Sequence, residues 1–348
     1  MRFFPLPLIL LGWTLATAAS AVTHFTLLAT LPVAADGAER LAFAPGSQLL
    51  LSTAPRQREI HIHRVDWSVP ALQVVDAFPP TDDLMAIPLP GRPSAVAVHP
   101  SAPLAVSLSV PRDVRSRGEV LLLDLRERSP GRLLRAQLVG YEPNDLALTP
   151  DGRWALIANK AGGHRRTPGS IGVLDLGNLA GWENNRLQEL PYRELDGLSN
   201  LLGRAAGRLE PERVAIDPRG RLAAVTLAAN DAVAWIDLRG KEPQLAGVLR
   251  MPDRSEPAGI GFLAQPDGSL LAVIAERGAQ RISVYGIAFD GAAPAARLLS
   301  RVDIRPWINP KRPSRRRNPE TILLGRMADR ATVWLACEET DRVLWIDL

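Results

Sequence analysis

Cysteine is nearly absent: Cys337 is the only one in 348 residues. No internal disulfide can form, and a zinc site built from several cysteines is excluded, as is a Cys-x-x-Cys-His haem attachment. Lysine is scarce too, at 160, 241 and 311 only, so arginine supplies nearly all of the 41 basic residues set against 37 acidic ones. The two signs are interspersed, which describes a solvated surface and not a nucleic-acid stripe. One dense run, Lys311-Arg312-Pro313-Ser314-Arg315-Arg316-Arg317, reads as an exposed loop, with an anionic partner or headgroup as the sharper alternative. No Gly-x-Ser-x-Gly elbow, phosphate loop or dinucleotide fingerprint occurs. Long amphipathic stretches between apolar runs are also missing, which argues against parallel βαβ units.

Long hydrophobic runs are confined to the N-terminus. Met1-Arg2 is a short positive start, Phe3 to Ala16 is apolar apart from Gly12 and Thr14, and small residues follow. This order is that of a secretory signal peptide, expected over residues 1–21, with Ala19-Ser20-Ala21 before Val22 as cleavage signal and Ala16-Thr17-Ala18 as a second choice. The apolar core is short for a membrane span, so an uncleaved anchor is the lesser reading. With no later transmembrane segment, the expectation is a periplasmic or secreted monomer with one domain over residues 22–348. A chain of this length can build a large core without disulfides.

What is present is a repeat. Pro93-Ser94-Ala95-Val96-Ala97-Val98-His99-Pro100 returns as Pro143-Asn144-Asp145-Leu146-Ala147-Leu148-Thr149-Pro150-Asp151-Gly152, and again as Pro211-Glu212-Arg213-Val214-Ala215-Ile216-Asp217-Pro218-Arg219-Gly220. Looser copies span 257–268, 319–326 and 40–45, which makes six. Each leads into a second apolar run, as at Leu104 to Val110, Trp154 to Asn159 and Leu222 to Ala228. A third run ends in a shared signature: Leu123-Asp124-Leu125, Leu174-Asp175-Leu176, Ile236-Asp237-Leu238 and Ile346-Asp347-Leu348. A fourth, less regular run follows most of them.

Short Val/Leu/Ile-rich runs bounded by Pro, Gly and Asp read as strands. Four strands in a period of about 45–65 residues are the mark of propeller blades. The expected fold is therefore all-β, a six-bladed β-propeller, with seven blades the less favoured count. The last copy stops after its third strand, and Thr23 to Leu31 is an orphan strand that would complete it. A short helix is expected within Gly197 to Arg208.

The segment Ala147 to Asn159, continuing through Gly169 to Leu176, resembles the YVTN family of β-propeller repeats, and Asn230 matches the Asn position a second time. The ending, from Asn318-Pro319-Glu320 through Trp345-Ile346-Asp347-Leu348, is similar to repeats of choice-of-anchor-type secreted proteins. The resemblance implies a fold more than a function, since such relatives include lactonases, dehydrogenase subunits and secreted proteins without assigned activity.

Propeller geometry places two loop sets on one face: those before the innermost strands, and those between strands two and three. The first set brings Arg92, Asn144, Glu212, Glu256 and Glu320. The second brings Arg112, Asn159, Lys160, His164, Arg165, Asn230, Asp231, Glu276, Arg277 and Glu338. Ligands favour such convergent loops. Asn144, Glu212, Asn230 and Glu320 are candidate oxygen ligands for Ca²⁺. A cation there could polarise a lactone or ester carbonyl, with His164 as proton acceptor. The plainer reading is that these side chains bond the turn backbone and solvate the mouth. His61 and His63, two apart on a strand, read as a solvated or hydrogen-bonded pair, with metal chelation through a third ligand as the alternative. The functional expectation is binding of an unidentified partner protein or small molecule through this face. A Ca²⁺-dependent hydrolase, or an accessory subunit of a periplasmic redox enzyme, is the alternative.

Overall fold

The computed structural model describes residues 40–44, 49–64, 86–113, 115–126, 130–161, 167–179, 188–203, 209–289, 293–308, 319–327, 330–337 and 342–347. The expected signal peptide and the orphan strand Thr23 to Leu31 lie outside them. Among the described residues the structure is almost wholly antiparallel sheet. One four-stranded sheet holds β1 (Leu41–Ala44), β2 (Leu49–Ala54), β3 (Glu59–Arg64) and β4 (Ala86–Pro88). A second holds β5 (Arg92–Val98), β6 (Leu104–Val110), β7 (Arg117–Asp124) and β8 (Leu133–Tyr141). The third has β9 (Pro143–Leu148), β10 (Trp154–Asn159), β11 (Ser170–Asp175) and β12 (Tyr192–Glu194), followed by the short helix α1 (Leu198–Leu202). The fourth has β13 (Pro211–Ile216), β14 (Leu222–Leu227), β15 (Ala232–Asp237) and β16 (Gln244–Arg250). The fifth has β17 (Pro257–Ala264), β18 (Leu270–Glu276), β19 (Arg281–Ala288) and β20 (Ala295–Asp303), then a helical turn α2 (Arg305–Ile308). The last has three strands, β21 (Pro319–Met327), β22 (Arg330–Cys337) and β23 (Arg342–Asp347). In each four-stranded sheet, neighbours in sequence are neighbours in space.

The chain divides into two compact units, residues 1–112 with 120–137, and residues 113–119 with 138–348. In the second unit, alternate residues of one strand serve two interfaces. Ala223, Val225 and Leu227 of β14 join a core with Leu156, Ala158 and Ile171 of the preceding sheet. Leu222 and Ala224 of the same strand join Phe262, Ala272 and Ile274 of the following sheet. Ala275 and Val284 then pack with Val333 and Leu335. This two-sided burial is why the second strands are apolar throughout and not alternating. In the first unit, Leu49, Leu51, Ile60 and Ile62 share a core with Val96, Ala105, Leu121 and Leu123.

The repeated turn residues have separate tasks. Gly152, Gly220 and Gly268 carry φ of 76°, 67° and 87°, a region costly for any side chain. At three of these turns the residue before the proline caps it: Thr149 Oγ1 accepts from Trp154 N at 2.9 Å, His99 Nδ1 from Ala102 N at 3.0 Å, and Asp217 Oδ1 from Arg219 N at 3.1 Å. The signature aspartates do the same at the next turn. Asp124, Asp175 and Asp237 accept from the backbone N–H two residues ahead, on Arg126, Gly177 and Arg239, at 2.8 to 3.0 Å. These are Asx turns, so the recurring Asp is structural.

Asp124 bears a further load. Its side chain is fully buried, and Arg126 Nη2 and Arg132 Nη2 reach its Oδ2 at 2.7 and 3.1 Å. Burial pushes its pKa up, but the hydrogen bonds from Arg126 and Arg132 outweigh this and hold it below the ordinary carboxylate value. A carboxyl with a lowered folded pKa stabilises fully above its unfolded pKa, near 4, and loses that contribution as pH falls through the folded value. Asp124→Asn should therefore destabilise at pH 7 by about 1.5–3 kcal/mol. Urea denaturation at a series of pH values should show the gap to the unaltered chain closing below about pH 4.

Candidate functional site

The first strand of each sheet in the second unit lies beside the first strand of the next: β9 by β13, β13 by β17, and β17 by β21. Each opens with a proline, a residue tolerated at a strand start because it lacks the N–H. A break in register follows, between Pro211 and Val214, Pro257 and Ile260, and Pro319 and Thr321, while Pro143 lies opposite a shift at Asn159. Such bulges re-aim side chains. The residue after the proline is Asn144, Glu212 or Glu320 in three of these strands.

Asn144 Nδ2 donates to the Glu212 carbonyl oxygen at 2.8 Å, and the neighbouring Asp145 Oδ2 accepts from Val214 N at 2.9 Å. Two bonds from β9 therefore fix the start of β13. Glu212 is 6% exposed, and its Oε1 receives Lys160 Nζ at 3.0 Å and Arg277 Nη1 at 3.1 Å. Lys160 follows β10 and Arg277 follows β18, so the sheets on either side both reach this carboxylate. Glu212 Oε2 is buried and has no hydrogen-bond partner among the described residues. Arg277 Nε also lies 3.7 Å from Glu256 Oε2. The result is a line of alternating charge, Lys160, Glu212, Arg277 and Glu256, along one rim.

The backbone at this rim is unusual. Glu142 and Glu256, each just before a strand-opening proline, have φ of 47° and 45°. Left-handed backbone is unfavourable for residues other than glycine, and such positions cluster at functional sites. Their carbonyls accept equivalent bonds, from Lys160 N at 3.0 Å and Arg277 N at 3.1 Å. Asp231, itself at φ 45°, holds the segment before Pro257, accepting from Arg254 N at 2.8 Å and Glu256 N at 2.7 Å. Gly169 lies against the same rim. A Cβ there would stand 2.5 Å from Pro211 Cδ and 2.6 Å from the Asn159 carbonyl oxygen. Gly169→Ala should cost about 1–3 kcal/mol in chemical denaturation, because backbone cannot step aside as a side chain can.

The other sequence candidates have distinct fates. Asn159 is 1% exposed and donates from Nδ2 to Ser170 Oγ at 3.0 Å and Tyr192 Oη at 3.2 Å. Burial is the main reason the Tyr192 hydroxyl is pushed far above its ordinary pKa, with the Glu194 carboxylate adding to it. Glu276 is fully buried: Oε2 accepts from Arg281 Nε at 2.5 Å, and Ser283 Oγ donates to Oε1. Both residues brace the hairpins behind the rim and are not presented on it. Asn230 is buried at the end of a 3₁₀ turn, Ala228–Asn230. Arg92 and Arg112 are exposed in the first unit. The backbone of Glu320 lies in β21, and its side chain is outside the described residues, as are His164, Arg165 and Glu338.

A calcium ion fits the described donors poorly. Glu212 already has two cations at one oxygen, and Asn144 spends its amide on the backbone. Among the described residues, no three His, Cys, Asp or Glu side chains form a metal-holding group. The bracing role of Ser283 is what sequence reading missed. The register pairs Glu276 with Arg281 across a four-residue hairpin and aligns Ile274 with Ser283, and the Glu-to-Arg spacing was the available signal.

The chain is similar in fold to hydrazine synthase of Kuenenia stuttgartiensis, at 14% identity over 89% of this chain and 83% of that one, with a TM-score of 0.59. Similar figures hold for the periplasmic gluconolactonase of Pseudomonas aeruginosa: 14% identity, 93% and 87% coverage, TM-score 0.56. The β-propeller domain of Myceliophthora thermophila Cps50 (printed with the alternative name Swd1) matches at 9% identity, with 89% and 83% coverage and a TM-score of 0.56. None of the proteins with curated functions matches. At these identities the likeness establishes the fold, a β-propeller built of antiparallel sheets. Residues 39–246 match the choice-of-anchor I domain, more than half of the sequence, and the chain belongs to that family.

Proposed function

We propose that this protein is an exported β-propeller that binds a small polar ligand or a partner at the rim formed by Asn144, Lys160, Glu212, Glu256 and Arg277. One observation carries the reading. Glu212 is held between two cations from flanking sheets, yet its second oxygen is buried with no hydrogen-bond partner among the described residues. A purely structural carboxylate would have both oxygens satisfied, since a buried polar atom left without a partner is costly. Lys160 and Arg277 suit a ligand carboxylate or carbonyl, while Glu212 Oε2 and Glu256 suit hydroxyl donors. That combination fits a small hydroxylated acid or its lactone.

Export rests on the N-terminal pattern of charged, apolar and small residues, and on family membership. Among the described residues no helix is long and apolar enough to cross a membrane.

Calorimetric titration with a panel of aldonic acids and aldonolactones tests the proposal. Saturable binding of at least one member, weakened in Lys160→Gln and Arg277→Gln, is expected. Running the same panel for hydrolysis, with and without chelator, addresses the rival reading. Chelator-sensitive lactone turnover would favour the Ca²⁺-dependent hydrolase, with Glu320 and His164 as the residues to substitute next. A stoichiometric protein recovered with the native chain would instead favour the accessory-subunit reading.

A further inference from the structure

The connection from β16 to β17 runs along the rim and gathers unusual backbone. Six non-glycine residues among the described ones have positive φ. Four of them, Asp231 (45°), Arg254 (63°), Glu256 (45°) and Gln280 (51°), are linked here through hydrogen bonds. Such conformations persist only where the surroundings hold them. Asp231, between β14 and β15, supplies much of the hold. Its Oδ2 accepts from Arg254 N at 2.8 Å, its Oδ1 from Glu256 N at 2.7 Å, and its carbonyl from Met251 N at 2.8 Å. The Glu256 and Ser255 carbonyls accept in turn from Arg277 N and Gly278 N, at 3.1 and 3.0 Å, and Gln280 N donates to the Arg277 carbonyl at 3.3 Å. Gly278 leaves room for the glutamate side chain: a Cβ there would stand 3.0 Å from both Cγ and Cδ of Glu256. The Glu256 carboxylate is thereby set 3.7 Å from Arg277 Nε, with the side chain 35% exposed.

On the reading that the rim binds a hydroxylated acid, we infer that Asp231 is a positioning residue that fixes Glu256 beside Arg277 and so makes the site prefer hydroxylated acids to plain ones. A ligand carboxylate seated on Arg277 has the Glu256 carboxylate as its neighbour. A hydroxyl on an adjacent carbon of the ligand donates to that carboxylate in a charge-assisted bond. An acid without hydroxyls meets only the repulsion of two like charges. The preference therefore depends on Glu256 keeping its place. Its own backbone does not ensure this, since a left-handed φ is unfavourable for glutamate and the following proline favours an extended conformation. Asp231 acts through the Glu256 amide, and a change there moves the acceptor while leaving Lys160, Glu212 and Arg277 in the chain.

Asp231→Gly removes the clamping carboxylate but keeps the backbone conformation accessible, because glycine takes positive φ freely. The test is calorimetric titration of the full chain with gluconate and with hexanoate, which has the same chain length and no hydroxyl. Affinity for gluconate should fall by at least about tenfold in Asp231→Gly, while hexanoate is held as well as before or better. Asp231→Asn, which tolerates the same φ and keeps one acceptor oxygen, should lie between. In a Glu256→Ala background, Asp231→Gly should cause little further loss. An equal fall for both acids, or full additivity with Glu256→Ala, overturns the positioning role. Unchanged gluconate binding in Asp231→Gly overturns that role alone, whereas no gluconate binding by the unaltered chain sinks the rim reading and the preference with it. Circular dichroism checks folding, and Asp231→Asn carries the test should the glycine variant fail to fold.

Discussion

Glu276→Ala is expected to lower the unfolding free energy by about 3–5 kcal/mol, the usual cost of removing one partner from a buried ion pair. The Glu276 side chain is fully buried and takes bonds from Arg281 and Ser283. Removing it strips the Arg281 guanidinium, whose side chain is only 26% exposed, of its carboxylate and leaves Ser255 Oγ at 3.5 Å as a remaining contact. Water reaches only part of that charge. The double variant Glu276→Ala, Arg281→Ala should recover part of the loss, because the remaining charge is gone. Urea denaturation of the four chains in the cycle measures this, and simple additivity would show that the pair does not act as a unit. Ligand affinity at the rim should change less than stability in Glu276→Gln, which keeps the shape and the hydrogen bond to Ser283.

The second large effect belongs to Glu212. Glu212→Ala removes the one oxygen shared by Lys160 and Arg277 and leaves two like charges facing each other. Both cations are partly exposed, so water softens the loss, and about 2 kcal/mol is expected. Binding should suffer more. Glu212→Gln keeps the volume and the backbone acceptor for Asn144, but it removes the charge and offers a donor at one of the former oxygens. A ligand hydroxyl that donates to Oε2 then loses its acceptor, and affinity should fall by at least about tenfold. Comparing Glu212→Gln with Glu212→Ala separates the two roles: a stability-only residue would leave the affinity of the glutamine variant intact.

The strands buried on both faces were legible in the sequence. Trp154 to Asn159 and Leu104 to Val110 were bounded correctly, as β10 and β6, because an unbroken apolar run between turn residues has few other foldings. The helix expected within Gly197 to Arg208 is α1. Outer strands were harder. Among its described residues, the run Arg186 to Leu195 contains only Tyr192–Glu194 as β12, since an edge strand gains little from one-sided burial and has a weak pattern. Asn159 and Glu276 show a different limit. A polar residue ending a strand looks like a loop residue, and its burial is decided by groups far along the chain, here Tyr192 and Ser283. The repeat puts Lys160, Glu212 and Arg277 at loop-flanking positions of one expected face, but it does not set their contact, which depends on the bulge at the start of β13 and on side-chain reach. The strained backbone of Glu142 and Glu256 does not follow from the repeat either, since the residue before a proline ordinarily takes an extended conformation.

Hydrogen–deuterium exchange on the full chain, with and without a saturating hydroxylated acid or lactone, tests the binding rim most directly. The account predicts protection confined to the starts of β9, β13 and β17, Lys160 and the hairpin at Arg277. Protection spread over other loops, or none at saturation, would contradict it.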